Sequence, residues 1–279
     1  MAILYISYDG ILEPLGQSQV LQYLKGLSAS YNITLISYEK KRDWDDINKR
    51  EVLRREIFQS GIDWRPLRYH KRPSAIATAY DILVGILLAL LIMLRKRIRI
   101  IHARSYVPSV IALILKKTLK VKYIFDMRGF WADERVDGGL WAKDSFLYSI
   151  AKWFEKRFLL NADVVISLTH KAVVEMQNFD YLKDRSNHFE VIPTCVNLDI
   201  FKPRNSSDLK DKLGLKDQFV VGYVGSAGTW YLFDEAINCF KVIKKEVPKT
   251  LLLILNRNEH EFIKDRLTRH GISEDDWRL

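Results

Sequence analysis

Short runs rich in β-branched and aromatic residues alternate along this chain with longer amphipathic stretches, and this alternation constrains the fold more than any other feature. Five or six apolar residues suit a parallel strand buried on both faces, and a helix-length crossover is what parallel neighbours need between them. Strands are expected at residues 3–8 (ILYISY), 33–38 (ITLISY), 64–69 (WRPLRY), 98–103 (IRIIHA), 122–127 (KYIFDM), 163–168 (DVVISL) and 189–194 (FEVIPT). Pro66 cannot donate to a ladder, which places the third at an edge. Helices are expected over 74–96, 108–119, 144–160 and 170–179. Val20, Leu21, Leu24 and Leu27 share one helical stripe, Asp45 is the expected cap of a further helix and Gly61 its stop. The pattern predicts an α/β fold with helices covering a parallel sheet.

The polar stretch 197–217, with Pro203 and Ser206, reads as a crossing between domains that holds a small helix. The expected organisation is a domain over 1–200, a linker over 201–217 and a second domain over 218–279. The alternation restarts there with strands at 219–226 and 250–255 and helices at 232–246 and 259–270, and "SEDDWRL" leads into another strand. Two βα units leave much of a sheet uncovered, so the expectation is a fragment or a naturally shortened product whose second domain is incomplete.

With 279 residues, 48% of them hydrophobic, the chain has ample material for a core. Forty-four Lys and Arg against 34 Asp and Glu give a net charge of +10, which favours nucleotides, phosphates or an anionic membrane surface. The basic residues lie within apparent helices and form no Arg-rich arm, so nucleic acid is not an expected partner. Cys195 and Cys239 form no CxxC pair, and no His stands at ligand spacing, so neither a disulfide framework nor a metal site is expected. The first apolar run breaks at Ser7, Asp9 and Gly10, unlike a signal peptide, which points to the cytoplasm. The uncharged run from Ile82 to Leu94 is closed by "RKRIR" and falls short of the roughly 20 residues of a spanning helix. It is expected to be buried or to lie on a membrane surface.

Ligands of parallel α/β sheets gather at the carboxyl ends of the strands. The first such loop is "SYDGILEPLGQSQ", where Gly16 allows close approach of backbone to a ligand, Gln17 follows it, and Ser18 is a candidate cap. It matches neither a dinucleotide fingerprint nor a Walker loop, and a plain strand-to-helix turn is the alternative. In "DMRGFWADERVDGGLW", Arg128 is suited to a phosphate and Trp131 to a sugar face, although Trp131 and Trp141 serve equally as core lids. His102 and Arg104 end the fourth strand and point to the same crevice. "GSAGTWYLFDE" supplies Gly225, Ser226, Thr229 and Trp230 for a diphosphate and an aromatic contact.

Together "YISYDGILEPLGQSQVLQYLKGLS", "IIHARSYVPS", "FDMRGFWADERVDGGLW", "VIPTCVNLDIFKP" and "VVGYVGSAGTWY" resemble, in that order, the retaining glycosyltransferases of family 4, in a bacterial branch working in surface-polysaccharide assembly. The resemblance implies a GT-B fold of two Rossmann-like doubly wound parallel sheets, the second incomplete here. It implies a nucleotide-diphosphate sugar as donor, a glycan or lipid-linked acceptor, no essential metal or other cofactor, and a place on the cytoplasmic membrane face. Gly16 corresponds to the glycine loop near the donor phosphates, and Gly225 and Ser226 to the loop opening the nucleotide domain. Many relatives carry a His where this sequence has "DMRG", so Arg128, with His102, is the expected catalytic pair. The Arg and Lys that relatives direct at the diphosphate are not evident in "GSAGTWYLF", and their two-glutamate segment would lie beyond Leu279. A non-catalytic glycan- or lipid-binding subunit is therefore the alternative, with nucleotide-sugar epimerases of similar architecture a lower one.

Overall fold

In the computed structural model, which describes residues 1–183, 185–203, 207–228 and 231–279, the seven expected strands of the first part form one sheet in which every neighbouring pair is parallel. They are β1 (Ala2–Ser7), β2 (Asn32–Glu39), β3 (Asp63–Arg68), β4 (Ile100–Arg104), β5 (Lys122–Asp126), β6 (Val164–Ser167) and β7 (Phe189–Val191), in the order β3-β2-β1-β4-β5-β6-β7. The Pro66 strand is the edge. The chain winds outward from β1 to β3, returns through the helix Ser74–Lys96, and continues the other way from β4. Direction therefore reverses between β1 and β4, and a crevice opens beyond the carboxyl ends of that pair.

Right-handed crossovers put the helices of the two arms on opposite faces of the sheet, and strand alternation supplies each with a core. Tyr5, Leu35 and Trp64 stand in register across β1, β2 and β3 and pack with Leu24, Leu53 and Ile57 on one face. Leu4, Ile6, Ile36, Ile101 and Phe125 point the other way, onto Ile111, Leu115 and Phe158.

The helix Ser74–Lys96 joins that second core. A Cβ at Gly85 would stand 2.1 Å from the Tyr38 hydroxyl, so only glycine lets the helix approach β2 this closely. Tyr38 donates to the Asp81 carbonyl at 2.7 Å, and the buried Asp81 carboxylate accepts from the Tyr8 hydroxyl at 2.8 Å and the His70 N–H at 3.1 Å. By length and composition the stretch Ala75–Lys96 is apolar enough to cross a membrane, with a mean hydropathy of 2.4. Its inner side, Ala77, Ala89, Ile92 and Met93, is nevertheless part of the core.

Local expectations shift in three places. The helix Ile47–Gln59 is capped by Asp46, whose Oδ1 accepts from the Lys49 N–H at 3.0 Å, because Asp45 closes the preceding turn Lys41–Trp44. Ser18 caps nothing: helical structure begins at Pro14, whose missing N–H costs nothing at a first position, and the Ser18 hydroxyl donates to the Leu15 carbonyl. Leu27 leaves the buried stripe of Val20, Leu21 and Leu24 and is 44% exposed. Gly61 takes the left-handed conformation, φ +72°, just past its helix.

Residues Leu198–Leu279, with Asp137–Leu140, form a second compact unit, distinct from the unit of Met1–Val136 and Trp141–Asn197. Its strands β8 (Phe219–Val224), β9 (Thr250–Leu255) and β10 (Trp277–Arg278) run parallel in the order β10-β9-β8, and β10 is the strand anticipated by "SEDDWRL". Helices Phe233–Glu246 and His260–Arg269 bury Phe233, Ile237, Phe240, Ile263 and Leu267 against Leu252 and Ile254.

Candidate functional site

At the switch point Ser7, Arg104 and Asp126 stand side by side, the last residues of β1, β4 and β5. One step down, Tyr5 and His102 are cross-strand partners with ring centroids 4.4 Å apart. His102 Nε2 lies 3.3 Å from Asp126 Oδ2, and the Tyr5 hydroxyl donates to the same oxygen at 3.4 Å. His102 is thereby committed to Asp126 through this nitrogen. Burial pushes the Asp126 carboxyl up, but the His102 hydrogen bond and the charges of His102, Arg104 and Arg128 outweigh it and hold the group below the ordinary carboxylate range. Burial, then the Asp126 charge, raise the Tyr5 phenol far enough that it stays a neutral donor.

Two guanidinium groups converge above this carboxylate. Arg104, only 3% exposed, donates from Nε to Asp9 Oδ2 at 3.2 Å and from Nη2 to Gln19 Oε1 at 3.3 Å. Arg128 donates from Nη2 to the same Gln19 oxygen at 2.8 Å and to Thr194 Oγ1 at 3.2 Å, and its Nη1 stands 3.9 Å from Asp126 Oδ1. Burial, then the nearby Arg104 charge, lower the Arg128 pKa, the signature of a cation pressed against a like charge. Gln19 reaches both because residues 14–28 form one helical run interrupted by a π turn at Gln17–Leu21, a distortion that recurs at functional sites. Ser105, which follows Arg104, has φ +68° and ψ −168°, a strained conformation for a residue with a Cβ, at the point where β4 turns into its helix.

Among the described residues, two buried side-chain atoms of this cluster have no hydrogen-bond partner, Arg104 Nη1 and Asp126 Oδ1. The first is a donor and the second an acceptor, and the cation nearest Asp126 Oδ1 is Arg128. Asp9 is 42% exposed at its side chain, and Arg128, 20% exposed, also reaches the surface. Arg128 lines a cavity of about 210 Å³ with Gly129, Phe130, Ser167 and Thr169 at the tips of β5 and β6. A larger cavity, about 740 Å³, lies at the β3 edge around Arg54, Phe58 and Trp64, so size alone does not mark the site.

The opening loop is built differently from its sequence reading. Glu39, fully buried at the end of β2, accepts from the Ile11 and Leu12 N–H groups, each at 2.9 Å, so these two amides are spent on an internal carboxylate. A Cβ on Gly16 would stand 2.0 Å from the Gly10 carbonyl oxygen, so this glycine lets the loop close on itself. Gln17 donates to the Leu12 carbonyl at 3.4 Å and likewise serves the loop. Trp131 packs on Tyr106 at 5.3 Å and meets Trp141 edge-on at 5.0 Å, which is the core-lid arrangement.

In the second unit Gly225 and Ser226 lie exposed past β8, while Thr229 and Trp230 fall outside the described residues. The Ala227 and Gly228 N–H groups donate to Glu259 at 2.9 and 3.0 Å, and Asn256 Nδ2 donates to Glu259 at 3.0 Å. These bonds, led by that from Ala227, hold Glu259 below its ordinary pKa. The helix that follows opens with Asp234 and Glu235, which occupy the turn where an anion would meet the helix dipole. Among the described residues no group of three or more His, Cys, Asp or Glu side chains is placed to hold a metal ion.

The structure thus brings His102, Arg104 and Arg128 together and joins to them Asp126, Gln19, Asp9 and Tyr5, which sequence reasoning missed. Asp126 carried a readable signal, an acid closing a strand in "FDMRG". Gln19 carried none, because a π turn cannot be seen in hydrophobic spacing.

No curated protein matches this sequence. Several solved structures share its fold. HepE of Anabaena, determined in complex with UDP and glucose, superposes with a TM-score of 0.64 at 15% identity, covering 100% of this chain and 68% of its own. Sucrose-phosphate synthase of Thermosynechococcus elongatus gives 0.67 at 15% identity, covering 100% and 69%. A UDP-N-acetylglucosamine 2-epimerase described as such from Listeria monocytogenes gives 0.54 at 13% identity, covering 100% and 68%. The two parallel sheets are those of the GT-B architecture. The profile of the family described as "Glycosyl transferase 4-like domain" matches residues 16–193, more than half of the sequence, and the chain belongs to that family.

Proposed function

We propose that this protein is a retaining glycosyltransferase of family 4 that moves a sugar from a nucleotide-diphosphate donor to a glycan or lipid-linked acceptor in surface-polysaccharide assembly, at the cytoplasmic membrane face. The observation that carries the reading is the Arg104–Arg128 pair over the ionised Asp126 at the switch point. Transfer breaks the bond from the sugar C1 to the diphosphate oxygen and makes one to an acceptor hydroxyl, whose proton passes to the departing diphosphate. Arg128 supplies positive charge where negative charge builds, with Arg104 and Gln19 fixing its orientation. Asp126 balances the charge of the guanidinium groups, and His102 and Tyr5 hold that carboxylate in place. UDP-sugars are the first donors to assay, since HepE was determined with UDP and glucose. Arg128→Ala is expected to lower turnover by about 10²-fold or more while the fold is kept. Unchanged turnover removes Arg128 from the site.

One observation favours the alternative of a non-catalytic glycan- or lipid-binding subunit. Glu259 occupies the amides of the Ala227–Gly228 turn, and no Arg or Lys lies between Gly225 and Gly228. Calorimetry with UDP and with glycan separates the two: a subunit of that kind binds glycan and not nucleotide.

A further inference from the structure

The outward side of the helix Ser74–Lys96 is unusual for a helix that covers a parallel sheet. Its exposed residues Ile76, Tyr80, Leu83, Leu87, Leu91 and Leu94 recur at intervals of three and four and so form one continuous stripe. No polar side chain interrupts it from Leu83 to Leu94, and Leu83, Leu87 and Leu94 are 55, 59 and 60% exposed. The helix packs beside Tyr106–Leu119, which packs beside Phe146–Asn161, and the crossover rule keeps all three in one layer. The outer residues of the third helix continue the character of the first: Phe146, Ile150 and Trp153 are 77, 37 and 52% exposed, and Arg157 stacks on Trp153 at 5.0 Å.

Charge decides what covers this face. No Asp or Glu occurs between Asp81 and Asp126, and Asp81 itself is buried. Arg95, Arg97, Arg99, Lys117 and Lys120 cluster around the carboxyl ends of the first two helices, all exposed. A second copy would bring like charges together, which opposes self-association through this surface. An anionic bilayer complements both features, taking the leucines among its acyl chains and the basic residues at its headgroups. A spanning arrangement would strip Asp81 of Tyr8 and His70 and uncover Tyr38, so the helix lies in the plane of the bilayer and does not cross it.

We propose that the outer face of the helices Ser74–Lys96 and Phe146–Asn161 is a docking surface for an anionic phospholipid bilayer, with the leucine stripe inserted and the Arg95–Lys120 cluster at the headgroups. The proposal rests on the membrane-face part of the functional reading and is tested without donor or acceptor, so it stands or falls apart from catalysis. The full chain is sedimented with vesicles of phosphatidylcholine alone or mixed with phosphatidylglycerol, at low salt and at about 0.5 M salt, where surface attraction is screened. Binding is expected to the mixed vesicles, to weaken in salt, and to fall at least about tenfold in Leu83→Gln/Leu87→Gln. Phe58→Gln, which alters an 80% exposed residue elsewhere, is the control expected to bind normally. Arg95→Gln/Arg99→Gln/Lys117→Gln leaves the stripe intact and is expected to abolish the preference for phosphatidylglycerol, which keeps the test valid should the leucine variant misfold. Failure of the wild type to bind, binding by both variants equal to that of the wild type, or resistance to carbonate extraction overturns the proposal. So does a vesicle-free dimer dissolved by the leucine variant.

Discussion

Replacing Glu39 tests how the opening loop is held. Its carboxylate accepts from the Ile11 and Leu12 N–H groups and, at 2.6 Å, from the Ser37 hydroxyl, which in turn accepts from Trp64 Nε1 at 2.7 Å. Glu39→Ala orphans two buried amides, and each orphan costs about 1–3 kcal/mol, or about 2–6 kcal/mol together. Burial also raises the Glu39 pKa, so the ionised side chain is disfavoured where it sits and its removal returns part of that cost. The net loss is expected at about 2–4 kcal/mol, with about half of it in Glu39→Gln, whose single carbonyl satisfies one amide. Chemical denaturation of the full chain measures the loss, and hydrogen exchange should show the Ile11 and Leu12 amides opening faster than their neighbours. A cost below about 0.5 kcal/mol for Glu39→Ala, or unchanged exchange at both amides, refutes this account of the loop.

Two further outcomes follow from the same geometry. Gly16→Ala forces a Cβ to 2.0 Å from the Gly10 carbonyl, so it is expected to destabilise by about 3 kcal/mol or more and to lower any activity through Gln19, as melting and turnover together will show. In acid, Asp126 has a folded pKa below its unfolded one, so its contribution is present above the ordinary value of 3.8 and is lost as pH falls through the folded value. Glu39 has the opposite sign: its contribution is present below 4.5 and is lost as pH rises through the raised value. Stability profiles of Asp126→Asn and Glu39→Gln should therefore flatten on opposite sides, and flattening on the same side would contradict the assignment.

The expected strands of the first unit were legible because a parallel strand buried on both faces must be apolar along its length, and crossovers then enforce helices between. The edge position of the Pro66 strand followed from one missing donor. The membrane-like run at Ile82–Leu94 was legible as apolar, but not its division into a core side and an exposed stripe, which depends on the phase of the helix against Tyr38. The cap moved from Asp45 to its neighbour Asp46, and the first helix began at Pro14 ahead of Ser18, because the path of the chain decides where each helix starts.

The sequence by itself determined the layered α/β class and the arrival of His102, Arg104 and Arg128 at strand ends, since both depend on local periodicity. Tertiary structure alone decided that Asp126 would stand beneath both guanidinium groups, that Gln19 would bridge them, and that Glu39 and Glu259 would take the loop amides. Those choices depend on strand order, register and a π turn, which bring together residues far apart along the chain and leave no trace in its pattern.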